Sequence, residues 1–274
     1  MSSTPTTTTH KVLHNGVEVN GWLVTTSKKP ILNSTDKESW ERDLKMNGVP
    51  EMIFGNNYVS VAKKDGSIAI TFNAHDALSL CAKTADQTIK VAAASKWQAV
   101  NKMHTNGGAT VEKSFEWTFT TPYTGTLLKD GHVYFHQAER PPTIFEPTTE
   151  QIDIEKLKRL DPILFYDDVS IYEDELADNG ISMLNVKVRA MTTGIFVLQR
   201  FFLRVDDVLI RCIDTRLYHE FEHSGYCLLE TTVKEASYDH LRPLFDKDPT
   251  SITNVNLIVQ QLPTKSTRHE KIIL

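Results

Sequence analysis

The chain has 274 residues, a hydrophobic share of 40%, a charged share of 24% and a formal net charge of −5. That length can bury a substantial core, in one large domain or two small ones. The mild acidic balance argues against a general nucleic-acid binder, which needs a basic face to meet phosphate.

The opening MSSTPTTTTHK is polar and carries no apolar signal-peptide core, and residues 1–15 are expected to form a disordered tail. No run approaches the roughly 20 apolar residues of a membrane helix. The three cysteines, Cys81, Cys212 and Cys227, show no C-x-x-C spacing. A sparse, odd count fits free thiols in a reducing compartment, so the expected address is the cytoplasm, with the nucleus as a second one.

In chain order, 21–26 reads as a short strand with Trp22 and Val24 on one side. A helix should follow to about Met46, capped by Ser34 or Thr35 with Glu38 closing a capping box. Strands at 57–62 and 67–72 flank the turn Lys64-Asp65-Gly66. Asn73 or His75 opens a short helix in which Asp76 occupies the first turn, where a carboxylate suits the helix dipole. The run 89–97 is ambiguous between strand and helix. Trp117 and Phe119 alternate with polar neighbours along 114–121, which reads as an aromatic strand face. A small strand at 132–136 precedes a Pro-rich excursion, and 153–160 reads as a short helix.

The stretch 163–219 organises the rest. Four apolar runs, at 163–172, 184–190, 196–205 and 208–218, are separated by the turn signals Asp178-Asn179-Gly180, Thr192-Thr193-Gly194 and Asp206-Asp207. Leu184, Val186, Val188 and Ala190 alternate with Asn185, Lys187 and Arg189, the period of a strand with one buried face. Short turns leave no room for parallel crossovers, so an antiparallel meander is expected. Another strand at 226–233 and helical pieces near 237–245 and 251–261 complete an α+β fold. It is a layered antiparallel β-sheet core with peripheral helices, filling 16–274 as a single domain. Phe119, Val186, Val188, Phe201 and Leu203, with Trp117, should be buried.

Catalytic templates are sparse. There is no Gly-rich phosphate loop, G-x-S-x-G or H-E-x-x-H. His219, Glu220 and His223 come close to a zinc motif, but on a strand the two histidines stand about 13 Å apart, too far for one metal. The acidic run 173–178, with Glu173 and Asp174, joined to His219, leaves a metal-dependent hydrolase as the alternative function. The polar sheet face is more informative. Lys187, Arg189, Arg200, Arg204, Arg211 and Arg216 lie in or beside strands, among Phe196, Leu198 and Phe202. Such a face suits docking of an acidic or C-terminal peptide, unless those cations pair with Asp167, Asp168, Asp206 or Asp214.

Six blocks, PEMIFGNN (50–57), ITFNAHDAL (70–78), EWTFTTPYTGTL (116–127), IDIEKLK (152–158), YEDELADNGIS (172–182) and RFFLRVDDVLIRCIDTRLYHE (200–220), resemble the TOR-signalling-pathway-regulator-like family in the same order. The stretch 129–146 is longer than the family pattern. The resemblance implies a non-enzymatic regulator without cofactors. It would bind the catalytic subunits of type-2A-like serine/threonine phosphatases (types 2A, 4 and 6), together with an alpha-type phosphatase chaperone subunit, and modulate TOR signalling. It implies phosphatase contacts at Asp76, Ile152, Cys212 and Asp214. Arg216 and Tyr218 follow Asp214 on the same strand face and are placed to hold the phosphatase backbone or an acidic tail.

Overall fold

The computed structural model describes residues 9–46, 48–81, 118–135, 144–222 and 225–274. The expectations for 89–97, the buried Trp117 and the ligand spacing to His223 lie outside the described residues.

Among the described residues, antiparallel strands form two sheets. The smaller holds β1 (His10–Leu13), β2 (Gly16–Val19), β3 (Trp22–Ser27), β5 (Tyr58–Lys63), β6 (Ile68–Asn73), β7 (Thr126–Lys129) and β8 (His132–Phe135), in that spatial order. The larger runs β4-β10-β11-β12-β13-β14-β15-β9. Its edges are the short β4 (Met52–Ile53) and β9 (Phe145–Pro147), and its centre is a meander of twelve-residue strands. These are β10 (Ile163–Asp174), β11 (Gly180–Met191), β12 (Gly194–Val205), β13 (Leu209–Glu220) and β14 (Tyr226–Ser237), followed by β15 (Thr264–Ile273).

The alternation in the sequence dictates this arrangement. Leu184, Val186, Val188 and Ala190 of β11, and Val197, Phe201, Leu203 and Val205 of β12, point into one buried cluster. Val17, Val24, Val59, Val61, Ile70 and Phe72 of the small sheet meet them there. The two sheets therefore share one core, and each fully buried aliphatic or aromatic side chain contributes about 1.5–3 kcal/mol. Phe201, Phe202 and Leu203 are all buried in succession, because helices cover the other face of the large sheet at that level. α4 (Tyr238–Lys247), the 3-10 turn Pro249–Thr253 and α5 (Val255–Gln261) supply that cover. α3 (Ile154–Leu157) lies over the opposite end. α1 (Ser34–Leu44) and α2 (Ala74–Ser79) flank the small sheet. The result is an α+β fold of two sheets and a helical layer.

Several local expectations are corrected. The tail does not extend through residue 15, because His10–Leu13 pairs with Gly16–Val19. That hairpin turns at His14-Asn15. The following one turns at Asn20-Gly21 with both residues at positive φ, the geometry of a type I′ turn. The cap of α1 is Asn33, whose side-chain oxygen accepts the Asp36 N–H at 2.9 Å, rather than Ser34 or Thr35. α3 is capped by Asp153. Residues 118–121 are not a strand. Phe119 is buried but has φ of 53°, and its carbonyl accepts the Tyr172 hydroxyl at 2.8 Å. The C-terminal residues Thr264–Ile273 form β15, a full strand absent from the sequence expectations.

Candidate docking face on the large sheet

The outer face of the large sheet is built from even-numbered residues of β12 and β13, so pairing register decides which side chains meet. One cross-strand row runs Tyr166–Arg189–Phe196–Tyr218–Leu228. The next runs Asp168–Lys187–Leu198–Arg216–Glu230–His269. A third runs Ser170–Asn185–Arg200–Asp214–Thr232, and a fourth joins Met183, Phe202 and Cys212. α3 sits over the first row, where Ile152, Leu157, Met191, Tyr218 and Leu228 form a small apolar cluster. α4 and α5 sit over the fourth, where Phe202 and Cys212 pack on Tyr238, Leu241, Phe245, Ile258 and Val259. The two charged rows lie between these covers.

Those charges are paired within the protein. Arg200 donates from Nε to Asp214 Oδ1 and from Nη2 to Oδ2, both at 2.7 Å, and from Nη1 to Asn256 Oδ1 at 2.8 Å. Arg216 donates to Glu230 Oε1 at 2.6 Å and reaches Asp214 Oδ2 at 3.4 Å. Lys187 Nζ lies 3.0 Å from Asp168. Asp214 is 4% exposed, so its carboxylate is an internal acceptor that fixes two guanidinium groups. Burial alone would drive the Arg200 pKa down, but its hydrogen bonds to Asp214 and the charge of that carboxylate hold it above the ordinary arginine value. Burial pushes the Cys212 thiol up, and the adjacent Asp214 charge adds to the shift. Cys212 is thus a protonated packing residue that donates to Asp214 Oδ1 at 3.4 Å. Burial likewise raises Tyr218.

Of the residues expected at the site, Ile152, Cys212, Asp214, Arg216 and Tyr218 are brought together on this face. Asp76 is not. It sits in the first turn of α2 beside the small sheet, accepting from Asn73 Nδ2 at 2.7 Å and Thr126 Oγ1 at 2.6 Å. Arg211 also departs from the expected basic face. Register turns it to the opposite side of β13, where it pairs with Glu235 at 2.6 Å. Sequence reasoning missed Glu230, His269 and Asn256, which complete the charged rows. The only available signal was their place in strands and helices not yet aligned.

A groove follows the open edge of this face. One part, about 310 Å³, is lined by Met183, Asn185, Lys187, Leu198, Arg200 and α5 residues Val255 and Asn256. A second part, about 380 Å³, shares Met183 and Val255 and continues past Phe202 and Ile252 to Glu175, Asp178 and Asp206.

The acidic run and His219 do not meet. Asp174 pairs with Ser182, which aligns through Leu203 with Arg211, eight residues before His219 on β13. That is about 27 Å at the usual strand rise, beyond the reach of one metal ion. His219 instead faces the inter-sheet core, 4.7 Å from the Trp22 ring centroid. Its Nδ1 lies 3.1 Å from the Tyr226 carbonyl, which requires the proton on Nδ1. Burial holds its pKa below the ordinary 6.5, the Tyr226 bond opposes the shift, and nearby Lys63 adds to it. A depressed base means that the folded state binds fewer protons than the unfolded state. The stabilisation from neutral His219 is full above pH 6.5 and falls as pH drops from there through the folded-state pKa. His219→Asn keeps a donor for Tyr226 and cannot titrate. Its Tm should fall less than that of the wild type between pH 7.5 and 5.0, and equal slopes would reject this role.

The profile of the TIP41-like family matches residues 52–242. The chain is 54% identical over 272 residues to a TIP41-like protein of Dictyostelium discoideum, covering 99% of this chain and 97% of that protein. It is 41% identical over 254 residues to a TIP41-like protein of Homo sapiens, covering 92% and 87%. It is also 41% identical over 223 residues to the type 2A phosphatase activator TIP41 of Saccharomyces cerevisiae, covering 76% and 59%. The matched span contains all six expected contact residues and most of the meander that carries the docking face, and the chain belongs to the TIP41-like family.

Proposed function

We propose that this protein is a non-enzymatic regulator that binds the catalytic subunits of type-2A-like serine/threonine phosphatases, types 2A, 4 and 6, through the outer face of its large sheet. The Saccharomyces cerevisiae relative named as a type 2A phosphatase activator supports the class of partner. The observation that carries the reading is the open strip between α3 and α5, where rows of internally paired charges give a rigid, preorganised surface. Ile152 and Tyr218 border the strip with apolar contact. Arg216 and Lys187 present cations to it, while Cys212 and Asp214 fix its floor. Asp76 offers a separate contact on the small-sheet side.

The family resemblance extends the proposal to TOR signalling and to joint handling of the phosphatase with an alpha-type chaperone subunit, in the cytoplasm and nucleus. Regulation by surface contact fits a face whose ionisable groups hold one another. A shared core spanning both sheets supports one domain, and the pairing of His10–Leu13 moves its start from residue 16 to β1.

The test is light scattering of the purified chain mixed with a type-2A catalytic subunit. A one-to-one complex is expected, weakened by Lys187→Glu, whose side chain is exposed in the strip. A wild-type chain that remains monomeric beside the phosphatase would overturn the proposal.

A further inference from the structure

We infer that the acidic end of the groove, between the β10–β11 turn and the 3-10 turn Pro249–Thr253, is a binding pocket for a lysine or arginine side chain of the protein partner. This inference rests on the phosphatase-binding reading and assigns that face a specificity pocket of its own.

The pocket has the chemistry of a long cationic side chain. Its floor is apolar, made by Ile181, Met183, Phe202, Ile252 and Val255, and its rim carries Glu175, Asp178 and Asp206 against the single cation Arg204, which leaves the lining net negative. Lys and Arg lay an aliphatic stem along apolar surface and hold the charged head in a polar rim. An aliphatic residue would fill the floor but leave the rim charges unanswered, and an acidic residue would meet repulsion. The volume, about 380 Å³, accommodates one such side chain with its adjoining backbone.

The rim charge is available. Asp206 is engaged by Arg204 at 2.7 Å, and Arg204 is further held by the Ile252 carbonyl at 2.9 Å. Glu175 and Asp178 are exposed, and none of the hydrogen bonds or ion pairs among the described residues engages their side chains. Their position is set by the chain. Leu176, Ala177 and Asp178 all have positive φ. Asp174 Oδ1 accepts the Leu176 N–H at 2.7 Å, and Asn179 Nδ2 donates to the carbonyls of Leu176 and Ala177. Leu176 is buried beneath the turn and anchors it.

At the other end, Lys187 and Arg200 line the groove. The two adjoining pockets share Met183 and Val255 and differ in sign on either side of them. An extended segment fits in one direction, with its basic residue at Glu175 and Asp178 and its apolar residues over Met183, Leu198 and Val255. Met183, shared by both parts, is the adaptable element of that floor.

The test is a titration of a purified type-2A catalytic subunit with the wild-type chain and with the double variant Glu175→Gln/Asp178→Asn, at low and high salt. Asparagine is chosen at position 178 because it tolerates the left-handed conformation there. Thermal unfolding of both proteins checks that the fold is unchanged. The double variant should bind about tenfold more weakly at low salt, and the difference should shrink as salt screens the rim. Equal affinity and equal salt dependence of the two proteins would overturn the pocket while leaving the phosphatase reading intact. A wild-type chain that does not bind overturns both.

Discussion

Replacing Arg200 with methionine is expected to cost about 2–4 kcal/mol of stability, because it leaves the buried Asp214 carboxylate without its bidentate partner. The figure sits toward the lower part of the range for broken buried pairs because the Arg200 side chain keeps 19% of its exposure. Arg216, at 3.4 Å, is too distant to replace two bonds of 2.7 Å. The double variant Arg200→Met/Asp214→Leu should recover most of the loss, since it removes both charges from a site bordered by Cys212 and α5. Denaturant titration of the two variants measures the difference. A loss below about 1 kcal/mol in the single variant would show that solvent or Arg216 satisfies the Asp214 carboxylate without Arg200. The same geometry makes Asp214 a positioning residue for any partner, acting through Arg200 and Arg216.

The second large effect is expected at Gly180. It begins β11 with φ of 142°, a conformation close to glycine-only, and an added Cβ would stand 1.9 Å from the Arg204 carbonyl oxygen. Gly180→Ala must move the β10–β11 turn away from β12. Backbone strain and overpacking together should cost about 2–5 kcal/mol. Denaturant unfolding reads the cost directly. Gly131, also at positive φ but with nothing within 4 Å of an added Cβ, provides the comparison, and its alanine variant should lose less. Equal losses at the two positions would mean that conformation alone, not the approach of β12, requires the glycine.

The large sheet was legible because its strands alternate cleanly and its turns carry Gly, Asn and Asp. Leu184 through Ala190 reads the same in sequence and in structure. β15 was not, since Thr264–Arg268 is an exposed, polar half-strand whose partner, not its composition, makes it a strand. The N-terminal hairpin was hidden by the Thr-rich residues before it, although Asn15-Gly16 and Asn20-Gly21 carry ordinary hairpin signals. Phe119 was misplaced in a strand because its positive φ depends on contacts with Tyr172 and Cys81 that are distant in sequence.

At the candidate site, alternation placed Cys212, Asp214, Arg216 and Tyr218 on one face, as expected for neighbours on a strand. It could not show that Arg200 had already claimed Asp214, because cross-strand register is set by the whole meander. Ile152 had no local signal at all. Its place beside Tyr218 depends on how α3 returns over the sheet.

The most direct test of phosphatase docking on the large sheet is a paired titration of a purified type-2A catalytic subunit. Lys187→Glu reverses a charge in the open strip, and Lys11→Glu does the same on β1 of the small sheet, away from it. Both side chains are exposed, so neither change should unfold the protein, although Lys187→Glu also sets a second carboxylate opposite Asp168 and should cost about 0.2–1 kcal/mol, which thermal unfolding checks. The expected result is at least tenfold weaker binding for Lys187→Glu and wild-type affinity for Lys11→Glu. Wild-type affinity for Lys187→Glu, or a loss confined to Lys11→Glu, would contradict docking on the outer face of the large sheet.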